Sequence, residues 1–228
     1  MKKLIAVAAA LVVSSAAVFA LDITAGARGN FNMGVGTTLD DSMDSLFSGW
    51  DNKGGNMGAG FAVYANFGLL DLGVGTLGVQ PEFGMNFNNG YNAKEGDASI
   101  NLRDTTIDIP VLVTFTTPIM DSLSIGGGIG PYLSIPFGLD MIMKSSGYEI
   151  SFAESYNVEF KAKMNFGLAF DVNAAYSLGP GSIVFDVRYM MDLTPTKVST
   201  VSGGYESDPE EMLTRRMLTL GVGYQMKF

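Results

Sequence analysis

Three groups of residues have types and spacing that could do chemistry. The run Gly126-Gly127-Gly128-Ile129-Gly130 is dense enough in glycine to cradle a phosphate. A phosphate loop also needs a following helix and a Lys-Ser/Thr pair. Pro131-Tyr132-Leu133 begins neither, so the run reads as small residues along one face of a strand. Asp40, Asp41 and Asp44, with Asp51 nearby, offer carboxylates to a divalent cation. Their spacing lacks the EF-hand alternation, and they read as a solvated loop. Glu206, Asp208, Glu210 and Glu211 could mimic a catalytic carboxylate pair; they read as an exposed acidic turn. Within it, Asp208-Pro209-Glu210-Glu211 predicts one capped helical turn, with Pro at its first position.

The residue types that are missing exclude more. The chain has no Cys and no His. It therefore has no disulfide, no thiolate nucleophile, no imidazole base and no common zinc site. No catalytic residue, metal or cofactor is expected, and no enzymatic activity. The formal net charge of −9 argues against nucleic acid as a partner.

Six further charges stand out by position. Arg28, Glu82, Asp108, Asp171, Asp186 and Arg188 each interrupt a stretch in which apolar residues alternate with small or polar ones. That period of two belongs to strands with one apolar face. Eight such stretches follow one another: Asp22 to Gly36, Met57 to Leu69, Leu77 to Asn88, Thr105 to Thr117, Leu123 to Phe137, Lys163 to Tyr176, Ser182 to Leu193 and Arg216 to Phe228. Their connections alternate. Polar loops are expected over 37–56, 89–103, 140–161 and 194–215, and short turns near 70–75, 116–122 and 177–181. An even strand count puts both chain ends on the side of the short turns.

Ahead of the strands, residues 1–20 read as a cleaved secretory signal. Lys2 and Lys3 precede an apolar core, and Val18-Phe19-Ala20 offers a small-x-small cleavage site. Residues 21–228 would be the mature domain, and losing the two lysines would take its net charge to −11. Only 16% of the chain is charged, against about 25% in soluble domains. Yet no apolar run after the leader approaches the roughly 18 residues of a membrane helix. Low charge without long apolar runs fits a membrane β-barrel, in which alternation dilutes the lipid-facing side.

The two faces can be assigned. Phe31, Phe61, Phe67, Phe83, Phe87, Phe115, Phe137, Phe166, Phe170, Phe185 and Phe228 all fall on the apolar face. They are too bulky for the inside of eight strands, which side chains already fill. The expected fold is all-β: an eight-stranded antiparallel up-and-down transmembrane β-barrel, with short periplasmic turns and four long external loops. The six charges then share the lumen. Buried charges need partners, so an Arg–carboxylate network should plug it, with Tyr64 and Tyr132 filling the remaining space. Pro81, Pro110, Pro131 and Pro136 would each delete a ladder hydrogen bond, which predicts bulges or strand ends at those positions.

The proline-bearing segments carry a family resemblance. Ile107-Asp108-Ile109-Pro110-Val111-Leu112-Val113 resembles the "EIP plus aliphatics" strand of the small bacterial outer-membrane β-barrel domain family, with Asp108 in place of the usual Glu. Gly126-Gly127-Gly128-Ile129-Gly130-Pro131-Tyr132-Leu133 is similar to its "aGpYl" strand, and Val79-Gln80-Pro81-Glu82-Phe83 to its "lqPEl" strand. The resemblance implies an eight-stranded barrel of the OmpA/OmpX type and no single activity. At the chain end, Gly223, Tyr224, Met226 and Phe228 resemble the C-terminal signal read by the bacterial barrel-assembly machinery.

The expected role is a surface scaffold of the outer membrane whose acidic external loops make contacts. Its partners would be outer-membrane lipid, the assembly machinery during biogenesis and an external ligand of the loops. The alternatives are a small passive channel for ions or small solutes, and a soluble periplasmic lipid-binding barrel.

Overall fold

The computed structural model describes residues 22–39, 41–46, 48–87 and 90–228. The expected leader lies outside the described residues. The elements are β1 (Asp22–Gly34), β2 (Thr38–Leu39), α1 (Asp41–Leu46), β3 (Asp51–Gly55), β4 (Met57–Asp71), β5 (Thr76–Phe87) and β6 (Tyr91–Glu95). Next come β7 (Ala98–Met120), β8 (Leu123–Ser145), β9 (Tyr148–Ser151), α2 (Phe152–Tyr156), β10 (Glu159–Ala162) and β11 (Asn165–Leu178). The chain finishes with β12 (Gly181–Asp192), β13 (Thr196–Ser202), β14 (Tyr205–Glu206), β15 (Glu210–Thr214) and β16 (Arg216–Lys227).

The long strands form an antiparallel, barrel-like sheet. β1 pairs with β4, β4 with β5, β5 with β7 and β7 with β8. β8 pairs with β11, β11 with β12 and β12 with β16. β16 returns to β1, in register from Thr24↔Lys227 to Gly34↔Met217, and the Phe228 N–H donates to the Ile23 carbonyl at 2.8 Å. Such closure leaves no free edge along the paired stretches.

The alternation in the sequence becomes an inside and an outside. On β12, Asp186 and Arg188 are buried while Phe185 and Val187 are exposed. On β1, Arg28 and Asn32 are buried and Phe31 is exposed. Apolar residues therefore point outward, the reverse of a soluble lipid-binding barrel. Ten of the eleven phenylalanines assigned to this face are exposed. Phe67 is the exception at 7% exposure; its partners across the two neighbouring strands are Ile23 and Val79.

Three expectations need correction. First, the long connections are not irregular loops. β7 and β8 each run 23 residues and continue far past the expected strand ends at Thr105 and Phe137. At about 3.4 Å per residue they extend roughly 75 Å, about three times the height of a membrane barrel's apolar band. β6 and β9 add hairpins to this extension. A second sheet, β10-β13-β15-β2 with β14 beside β13, lies on the same side. Together they form a cap with its own apolar core: Tyr91, Ala93, Leu102, Met212 and Leu213, packed by Trp50, Ile100 and Leu139 among others.

Second, Asp208–Glu211 is not a helical turn. Glu210 and Glu211 begin β15 and pair with Val198 and Lys197 of β13. The pairing buries Met212 and Leu213, which outweighs a local capping preference. Short helices occur elsewhere, at α1 and α2. In α2 the Ser151 hydroxyl accepts from the Glu154 N–H at 3.2 Å.

Third, only one of the four prolines sits at a bulge. The β7–β8 register shifts between Thr105 and Thr106, opposite Pro136 and Gly138. At Pro81, Pro110 and Pro131 the register holds: Pro81 faces Val111, Pro110 faces Tyr132 and Pro131 faces Leu168. Pairing lapses between Pro81↔Val111 and Gly84↔Asp108, and again between Pro110↔Tyr132 and Val113↔Ile129, then resumes in phase. A missing N–H removes a ladder bond without inserting a residue, so the faces are not flipped beyond these prolines.

Candidate functional site

The inward positions of β1, β5, β11 and β12 converge on Glu82. Its Oε1 and Oε2 accept from Arg28 Nη1 and Nη2 at 3.3 and 2.7 Å, and from Arg188 Nη2 and Nη1 at 2.8 and 2.6 Å. Gln80 Nε2 adds a bond of 2.7 Å to Oε1. Arg188 also donates to Asp171 Oδ2, from Nε at 3.1 Å and Nη2 at 3.0 Å. Arg28 Nε lies 3.5 Å from Asp186 Oδ1. Five of the six charges named from sequence thus meet in one cluster, and all are buried. Glycines on β16 make room for it. A Cβ on Gly223 would meet the Arg28 side chain, and one on Gly221 would meet the Asp186 carboxylate.

Asp108 is elsewhere. It accepts from Asn86 Nδ2 at 2.7 Å and from the Thr106 and Ser134 hydroxyls, and no Arg–carboxylate ion pair joins it to Arg28 or Arg188. Asn86 in turn accepts from Asn32, which accepts from Thr219, each at 2.9 Å. Ser134 links this ring to a second ionic layer, because Arg215 Nη2 donates to its hydroxyl at 2.6 Å. Arg215 also meets Asp192 Oδ2 at 3.2 Å and Asp104 Oδ2 at 3.3 Å. Tyr132 closes the layer with a 2.5 Å bond to Asp192 Oδ1.

Arg215 was hidden in an expected loop. The signal is in the sequence: Arg215 shares the inward parity of Met217, Thr219 and Gly221, one residue before the expected strand begins at Arg216. Asp104 and Asp192 share the inward parity of Asp108 and Asp186, and Arg215 is the cation that joins them. Tyr64 lies nearer the short turns. Its ring sits 5.7 Å from the Arg28 guanidinium, and its hydroxyl bonds Gln225 at 3.2 Å.

These layers divide the lumen. A cavity of about 440 Å³ enters from the side of the short turns and ends at Arg28, Asp171 and Asp186. Past the cluster, among Glu82, Asn86, Asp108 and Arg188, a space of about 20 Å³ remains, room for about one water. The arrangement fixes charge and fills space.

The other sequence candidates fall outside the lumen core or into supporting roles. Gly126 to Gly130 lie within β8, their inward members facing Thr114, Leu112 and Asn173. Asp44 on α1 pairs with Lys53 at 3.1 Å, and Asp40 lies outside the described residues. Glu206 and Glu211 pair with Lys161 and Lys197 on the exposed cap. Hydrogen bonds from Ser199 and Lys161 hold the Glu206 carboxyl below the usual carboxylate range. On β16, Tyr224, Met226 and Phe228 are exposed on the outer face, and Gly223 is on the inner one.

Comparison with solved structures finds the same fold. OprG from Pseudomonas aeruginosa is similar over 91% of this chain and 95% of its own, with a TM-score of 0.52 at 14% identity. A major outer membrane protein from Thermus thermophilus is similar over 90% and 99%, with a TM-score of 0.51 at 15% identity. The outer membrane protease OmpT from Escherichia coli is similar over 91% and 97%, with a TM-score of 0.50 at 10% identity. No curated protein matches the sequence. The family model described as outer membrane protein beta-barrel domain matches residues 15–198. With an antiparallel barrel-like sheet, an apolar exterior and that match over most of its length, the chain belongs to the outer membrane protein β-barrel domain family and resides in the outer membrane.

Proposed function

We propose that this protein is a closed surface scaffold of the outer membrane. β1, β4, β5, β7, β8, β11, β12 and β16 would be the eight membrane-crossing strands, with short turns in the periplasm and the cap outside. The observation that carries this reading is Glu82 gripped by both Arg28 and Arg188 across the lumen. The Arg215 layer supports it with a second closure. Purified monomer in planar bilayers is expected to leave the current at the level of a protein-free membrane. Large, stable, voltage-independent channels would defeat the closed lumen.

The cap is the part that meets the outside. Exposed Glu149, Asp208 and Glu210 stand on a folded support with its own core, which favours contacts over mere solvation. Removing residues 199–208 is expected to leave a heat-modifiable barrel that has lost a surface or binding property. If the trimmed protein assembles and no such property changes, the contact role falls.

The chain lacks His, which leaves hydrolysis without its usual general base. The likeness to OmpT is a likeness of fold. The barrel-assembly machinery would take the chain by the outer pattern of β16. Deleting Phe228 is expected to slow assembly by that machinery several-fold, and an unchanged rate would remove the signal.

A small passive channel is the second reading, favoured by the vestibule that already reaches mid-lumen. In the same recordings it would give small, discrete events.

A further inference from the structure

The outward face of the barrel is not evenly covered. On β8 and β11, Gly127 and Ala174 leave almost no side chain over the backbone. Phe115 on β7 pairs directly with Gly127, and Phe185 on β12 pairs directly with Ala174. Both rings are exposed, and so are Ile125 and Val172 beside them. The result is a groove of about 820 Å³ with a backbone floor and apolar walls. A Cβ built on Gly127 would meet the Asp171 carbonyl oxygen at 3.3 Å and no side chain within 4 Å. The backbone groups of the floor are spent in the β8–β11 and β11–β12 ladders. An occupant therefore needs shape and no hydrogen bonds.

The groove has a defined depth. Its floor lies four residues from the strand ends at the short turns: Gly127 after Leu123, Ala174 before Leu178. At about 3.4 Å per residue and a tilt of about 40°, that is roughly 10 Å above the turns. The apolar band of a membrane barrel is about 25 Å tall, so the groove falls in the leaflet on the turn side. Two tyrosines stand at its turn-side edge. Tyr176 follows Ala174 by two residues on β11, and Tyr224 follows Val222 by two on β16. Ile183 of β12 pairs with both. Both tyrosines are exposed, and the Tyr224 ring leans over Gly181 toward the turn. Phenols in such places suit the headgroup level of a bilayer.

We propose that this groove holds one acyl chain of a zwitterionic glycerophospholipid from the turn-side leaflet, with its headgroup at Tyr176 and Tyr224. The inference rests on the eight membrane-crossing strands proposed above. Residence in the outer membrane supplies the occupant, because hydrocarbon surrounds this face. Lipid tails are as apolar as the wall, so packing rather than the hydrophobic effect selects the position. Against a flat wall a chain touches protein on one side. In the groove it touches the floor and both rings, and fills a hollow whose lining otherwise lacks partner atoms. A second copy fits worse: a two-fold contact sets a patch against itself, and two hollows face to face enclose a void. A free fatty acid fits worse at the edge. It brings a lone carboxylate to neutral phenols, and no cationic side chain lines the groove. A zwitterionic phospholipid carries its own counter-charge.

The test uses the full protein, one copy per phosphatidylcholine nanodisc, doped with phosphatidylcholine spin-labelled at mid-chain. The label is expected to broaden the amide resonances of Gly127, Ala174 and Phe185 about threefold more than that of Ala65, because the held chain stays in contact. Ala65 lies on β4, across the barrel and at a comparable distance from the turns. Ala174→Phe fills the floor and is expected to bring Gly127 and Phe185 to parity with Ala65. The wild-type comparison stands even if the variant does not assemble. Equal broadening at the groove and at Ala65 overturns the proposal and leaves the membrane-crossing strands intact. No broadening at either overturns both. An excess that survives Ala174→Phe overturns the groove as its source. Spin-labelled palmitate giving the same excess at equal membrane concentration overturns the phospholipid, and an excess lost at two copies per disc makes a second copy the preferred occupant. None of these results bears on whether the lumen conducts or the cap makes contacts.

Discussion

Glu82→Ala destabilises the folded barrel by about 3–5 kcal/mol, the range for breaking a buried ion pair by removing one partner. The basis is the count of bonds on one carboxylate. Two guanidiniums donate four N–H groups to it, and both arginine side chains are nearly inaccessible. Removing it strands two buried cations at once. Asp171 holds Arg188 in part, and Asp186 lies at 3.5 Å from Arg28 without a hydrogen bond, so neither restores the lost contacts. Reversible denaturant unfolding in lipid or detergent measures the effect as a fall in midpoint at constant slope. Replacing all three residues, as in Glu82→Ala with Arg28→Met and Arg188→Met, is expected to recover most of the loss, since an apolar triad leaves no unpaired charge. A single Glu82→Ala change costing under about 1 kcal/mol would mean that water reaches the cluster freely, and the closed lumen would be untenable.

The second large effect is on the outer face. Val222→Arg on β16 places a charge mid-strand, where 55% of the valine is exposed to the surroundings of the barrel. In a bilayer that substitution costs about 2–4 kcal/mol near the midplane, falling to about 0–1 near the interface. Met226→Arg, one turn-side step from the strand end, is therefore expected to cost far less than Val222→Arg. Unfolding from bilayers of the two variants gives the depth profile directly. Equal, small costs at both positions would place water and not hydrocarbon against this face.

The two experiments probe the two sides of one alternation, and that alternation was readable from sequence. It rests on the strand period of two, which every residue from Phe185 to Arg188 expresses without reference to any other strand. The same period put Arg28, Glu82, Asp171, Asp186 and Arg188 on the inner face, and the charge rule supplied the expectation that they would pair. What it could not supply was height along the barrel axis. Asp108 shares the inner face with Glu82 on a neighbouring strand, but the β5–β7 register sets it opposite Gly84. There it bonds to Asn86 and Ser134 in the next layer. Register is a property of pairs of strands, and no single strand carries it.

The cap shows the same limit from the other side. Residues 89–103 and 194–215 are polar enough to read as loops, and as isolated segments they have little reason to be ordered. They become strands because Tyr91, Leu102, Met212 and Leu213, far apart in the chain, bury one another. Asp208-Pro209-Glu210-Glu211 carries a genuine helix-start pattern, and pairing with Lys197 and Val198 overrides it. Arg215 reaches the lumen for the same reason: once β15 and β16 are placed, its side chain meets Asp104, 111 residues earlier.

The sequence by itself determined the kind of fold, the sidedness of each strand and the exclusion of His- and Cys-based chemistry, because each depends on residue type and local period. Only the tertiary structure decided which charges share a layer, that the outer connections fold into a capped core, and that Asp186 is left without a hydrogen bond. Those outcomes are set by the stagger between strands and by burial between distant segments. Both are collective quantities, fixed when the sheet closes.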